Sequence, residues 1–69
     1  MIYIVEKIWA VWDNEIISIT TDKDKAIAIL TNYQFKPYDT YGRIMEYEDG
    51  AIYNGKQPIE VFRREFHAG

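Results

Sequence analysis

The chain has 69 residues, no cysteine and one histidine, His67, with 48% hydrophobic and 28% charged residues and a net charge of −3. That length leaves room for one domain, residues 1–69, which buries only about 60% of the surface of its unfolded chain; without cysteine, disulfides and thiolate metal sites are excluded. Eleven acidic against eight basic residues argue against a non-specific nucleic-acid binder, which carries a basic excess.

From Ile2 to Val11 the chain is rich in β-branched and aromatic residues, which predicts a strand. Asp13 and Asn14 tolerate the left-handed backbone of a tight hairpin, and Glu15 to Thr20 supplies the second strand. With Asp13 and Asn14 as the turn residues, Trp12 faces Glu15, Val11 faces Ile16 and Trp9 faces Ser18. Thr21 and Asp22 are helix N-cap types, and Asp24 adds negative charge at the positive end of the helix dipole. Ala26, Ile29, Leu30 and Tyr33 then form one apolar stripe, so a helix is expected over residues 22–33. Lys36-Pro37 favours extended backbone, which makes Gln34 to Thr40 a crossing loop. A third strand follows from Tyr41 to Tyr47 and an Asp49-Gly50 turn. A short return strand, Ala51 to Tyr53, and an Asn54-Gly55 turn lead to a last strand from Ile59 to Phe66. The expectation is an α+β fold: an antiparallel sheet of four to five strands with one helix packed on one face, in the order ββαβββ.

Strand side chains alternate between faces. The even positions Ile2, Ile4, Glu6, Ile8 and Ala10 share one face with Ile17 and Ile19. The odd positions Tyr3, Val5, Lys7, Trp9 and Val11 share the other with Ile16 and Ser18. Both faces are apolar, yet one helix covers only one of them. The aliphatic face (Ile4, Ile8, Ile17, Ile19) is the expected seat of the helix, which leaves the Trp9 face as an interaction surface. The competing arrangement puts the helix, or the loop from Tyr33 to Tyr41, over Trp9. Tyr3, Trp9, Val11 and Trp12 are the candidate partner contacts, with Glu46, Glu48 and Asp49 as electrostatic complements.

No catalytic set is expected. The sequence has one serine, Ser18, inside a strand, and its histidine is near the end of the chain. No metal or cofactor site is expected either. Tyr41, Arg43, Phe62, Arg63 and Arg64 form an alternative set, for an oligomer that sequesters a small anionic ligand such as a nucleotide, and Tyr47, Tyr53, Phe62 and Phe66 near Arg43, Lys56, Arg63 and Arg64 form another, for a single-stranded nucleic-acid-binding module. No run approaches 18 apolar residues, no basic leader precedes the first strand, and the absence of cysteine fits a cytoplasmic protein.

The opening Ile2-Tyr3-Ile4-Val5-Glu6, the helix Lys25-Ala26-Ile27-Ala28-Ile29-Leu30 and the acidic strand Arg43-Ile44-Met45-Glu46-Tyr47-Glu48 resemble small uncharacterised ββαβ proteins of bacteria and their phages. The resemblance spans roughly residues 2–48. It implies a ββαβ core and a phage setting, in which stand-alone proteins of this size inhibit or redirect host proteins, including defence-system components. The resulting expectation is a non-enzymatic protein-binding factor in the host cytoplasm, with a homodimer as the competing use of the same surface.

Overall fold

Two strands rich in β-branched residues, two that alternate apolar with polar or charged ones, and one short helix leave a single economical arrangement, a sheet with the helix laid across it. The computed structural model describes residues 1–10, 13–48 and 56–66 of the chain. Its elements are β1 (Ile2–Ala10), β2 (Asp13–Thr20), α1 (Lys23–Thr31), β3 (Tyr41–Tyr47) and β4 (Ile59–Glu65). They form one α+β unit, a four-stranded antiparallel sheet in the order β2-β1-β3-β4 with α1 packed on one face. The short strand expected at residues 51–53 lies outside the described residues, as does the Asp49-Gly50 turn.

The first hairpin pairs differently from the expectation. Ala10 stands opposite Asp13, Lys7 opposite Glu15 and Glu6 opposite Ile16, so Asp13 and Asn14 open β2 instead of forming the turn. Val5, not Trp9, faces Ser18. Polar pairing accounts for this register. The Asn14 amide donates to Glu6 Oε2 at 3.0 Å, and Lys7 Nζ lies 3.5 Å from Glu15 Oε2. The Asp13-Asn14 turn would have carried Asn14 and Glu15 away from these partners. Two irregularities make the register possible: Ile17 is an extra residue in β2, and Trp9 an extra residue in β1.

Helix α1 opens at Asp22, whose side chain accepts from the backbone N–H groups of Asp24 and Lys25 at 3.0 and 3.2 Å. Its last turn is closed from a distance: Arg64 of β4 donates to the carbonyls of Leu30 and Tyr33, both at 2.8 Å. Ala26 and Leu30 face the sheet and are fully buried.

The helix does not sit on the aliphatic face. Tyr3, Val5, Ala26, Leu30 and Ile44 form the buried core, with Ile17, Phe35, Val61 and Phe62 packed against it. The seat is therefore the Tyr3–Val5 face, and the cause lies in β3, not in the hairpin. Strand pairing places Ile44 beside Val5 and Gly42 beside Lys7 on that face. Gly42 is where α1 approaches most closely, since a Cβ there would collide with Leu30 Cδ1. Full burial of Val5, Leu30 and Ile44 contributes about 1.5–3 kcal/mol each.

Candidate functional site

The face opposite the helix has four cross-strand rows, and strand pairing fixes their members. Ile2 pairs with Tyr47. The second row runs Ile19, Ile4, Met45, Glu60, and the third Ile16, Glu6, Arg43, Arg63. The fourth runs Asn14, Ile8, Tyr41, Glu65. Among the described residues no helix lies over this face. Ile16 and Ile19 are 54% and 60% exposed and Ile2 is 39% exposed, while Ile4, Met45 and Tyr47 are half-buried. A lone exposed isoleucine carries no information, but three on one face of one sheet form a patch.

The charges of the open face are satisfied within the chain. Glu6, itself buried, holds Arg43 Nε through one oxygen and Asn14 through the other. Arg63 donates to Glu60 at 2.8 Å, lies 3.6 Å from Glu65 and stacks 4.2 Å above the Tyr41 ring. The hydrogen bond to Glu60 is the main cause that raises the Arg63 pKa. Arg43 and Arg63 are direct cross-strand neighbours, an unfavourable like-charge pair that these three carboxylates neutralise.

A second cluster lies on the helix face, where Lys7 is almost fully buried. Its Nζ is 3.5 Å from the buried Asp39 Oδ1 and within 5.5–5.8 Å of the ring centroids of Trp9, Tyr33 and Tyr38. Asp39 is positioned by a turn through Pro37, in which its N–H donates to Lys36 O and its Oδ2 accepts from Lys36 N. A side-chain hydrogen bond with Tyr33 raises the Lys7 pKa above its ordinary value; Asp39 and Glu15 add to this against burial. A lysine held as ammonium is unsuited to nucleophilic or Schiff-base chemistry, which needs the neutral amine. The cluster pins the Tyr33–Asp39 loop to β1.

The structure divides the residues expected at a partner surface. Tyr3 is in the core at 8% exposure, where burial and then Glu46 raise its hydroxyl pKa, so it is not a surface contact. Trp9 is half-buried beside Lys7. Glu46 shares the helix face with Tyr3, and Glu48 is exposed and bonded to Lys56 at 2.7 Å. Val11, Trp12 and Asp49 lie outside the described residues. Of the alternative ligand set, Tyr41, Arg43 and Arg63 come together on the open face. Phe62 and Arg64 lie on the other face, Phe62 in the core and Arg64 stacked 4.6 Å from Phe35.

Sequence reasoning put Ile16 on an uncovered face, but beside Trp9, and missed Ile2 and Ile19 as surface residues. Their signal was present in β3, where Gly42 and Ile44 alternate with Tyr41, Arg43 and Met45 and so mark which side takes the helix. Among the described residues no group of three His, Cys, Asp or Glu side chains converges as a metal site would require. No described helix is long and apolar enough to cross a membrane. No protein-family model, curated protein or solved structure matches the chain.

Proposed function

We propose that this chain is a non-enzymatic protein-binding factor that docks through the open face of its sheet. The observation that carries the reading is the isoleucine patch of Ile2, Ile16 and Ile19, which the helix leaves uncovered. Both sheet edges are irregular, with Ile17 extra in β2 and Val61 extra in β4, and both carry charged residues. Such edges resist addition of another strand, which favours docking on the face. The setting that fits best is an accessory factor, phage-encoded, that occupies and blocks a host protein. Capture from host lysate with wild type and an Ile16→Asp/Ile19→Asp variant tests this. The specific partner is expected to be lost from the variant by tenfold or more while its circular dichroism is retained. Equal recovery on both would sink the proposal.

Nucleotide capture by Tyr41, Arg43 and Arg63 has weaker support, because Glu6, Glu60 and Glu65 already engage both guanidinium groups.

A further inference from the structure

We infer that the resting partner of the open face is a second copy of this chain, packed face to face about a two-fold axis that runs across the strands. The inference rests on the reading of that face as a protein-docking surface, and it names the partner.

The four rows carry the argument. Rotation about an axis lying across the strands, between the second and third rows, places each strand over its own copy in reversed direction. The Ile19, Ile4, Met45, Glu60 row then lies over Ile16, Glu6, Arg43, Arg63 of the second copy. Ile19 meets Ile16, and Glu60 meets Arg63, each contact occurring twice by symmetry, so that the Glu60–Arg63 pair already made within each chain becomes a four-charge cluster across the axis. Of the outer rows, Tyr47 lies over Tyr41, while Ile2 lies over Ile8, which is already buried within its own chain. Ile4 and Met45 cover the Glu6–Arg43 pair, which is already neutralised within each chain. The axis parallel to the strands would instead set the isoleucines of β2 over the charges of β4.

Charge and area both allow this arrangement. Glu6, Glu60 and Glu65 against Arg43 and Arg63 leave one net negative charge on the face, compared with three on the chain. The molecule is a plate of 42 × 26 × 14 Å, so one broad face is on the order of 900 Å². A standard interface buries about 800 Å² per partner. A chain with so thin a core also gains most from a second layer. The dimer covers the isoleucine patch and excludes a host protein from it, so the two complexes compete.

The test uses Glu60 and Arg63, which are exposed, with circular dichroism of each variant to check that losing the Glu60–Arg63 pair within the chain leaves the fold intact. Sedimentation equilibrium from 1 to 200 µM is expected to show wild type approaching twice the 8.2 kDa chain mass. Glu60→Arg and Arg63→Glu each place like charges together twice, and each is expected to weaken self-association on the order of tenfold. Mixing the two variants restores opposite charges at both contacts, so the mixture is expected to dimerise more tightly than either alone. A wild type that stays monomeric at 200 µM overturns the inference. So does a dimer indifferent to both substitutions, or a mixture that fails to recover. A monomer that still loses its host partner on Ile16→Asp/Ile19→Asp refutes the dimer alone and leaves the docking face standing.

Discussion

At Lys7 three aromatic rings and two carboxylates converge on one ammonium, and Asp39 contributes a side chain with no solvent exposure. Removing the cation leaves that carboxylate buried without its counter-charge, which costs more than never having had the pair. Lys7→Met is therefore expected to lower the urea midpoint, and Lys7→Met/Asp39→Asn to recover part of the loss. No recovery would show that packing of the lysine stem, not its charge, holds the loop. Gly42 is a second point of dependence. Its missing side chain is the space that Leu30 Cδ1 fills, and Phe35 Cζ would be 3.1 Å from any added Cβ. Because Leu30 is fully buried, it has little room to move away. Gly42→Ala is expected to destabilise by about 1–3 kcal/mol in denaturant unfolding.

Helix α1 depends on both of its ends, since a nine-residue helix is marginal by itself. Asp22→Ala removes the acceptor for two N–H groups and is expected to cost about 1 kcal/mol. Arg64→Leu removes a charged donor from two carbonyls at the other end, of which Leu30 O keeps the Tyr33 N–H, and is expected to cost about 1.5–3 kcal/mol, the range for hydrogen bonds to a charged group. Chemical denaturation of each variant checks both figures. The Asp22 cap was legible in the sequence because capping is local chemistry, and so were the four strands and the helix, whose patterns span several residues. The Arg64 contact was not, because it joins positions 34 residues apart. The hairpin register was misread for the same reason: Asn14 with Glu6, and Glu15 with Lys7, outweighed the local turn preference of Asp13-Asn14. The choice of helix face also depended on a remote strand, since only β3 distinguishes two apolar sides of β1. The open face was therefore legible as an aliphatic surface, but not as the exposed one.

For the molecule as a whole, the proton affinities of Tyr3 and Lys7 set an alkaline limit. Burial, then Glu46, raises Tyr3 above 10.0, and Tyr33 leads the causes that raise Lys7 above 10.5. In both cases the folded chain holds the proton more tightly than the unfolded chain. Their contribution is fully present below the unfolded values and is lost as pH rises through the folded ones. Urea midpoints are expected to be flat with respect to these two groups up to about pH 10 and to fall above it. Tyr3→Phe is expected to remove part of that fall, and an unchanged slope would exclude Tyr3 as a contributor.

Arg64 also bears on how the chain reaches its fold during synthesis. The carbonyls it satisfies emerge 34 and 31 residues before the guanidinium that binds them. Until β4 has emerged, the end of α1 lacks the Arg64 guanidinium, and β3 lacks its outer neighbour. Completion of the fold therefore waits on a late, long-range contact, and a chain cut at residue 63 is expected to be more sensitive to protease than the full chain.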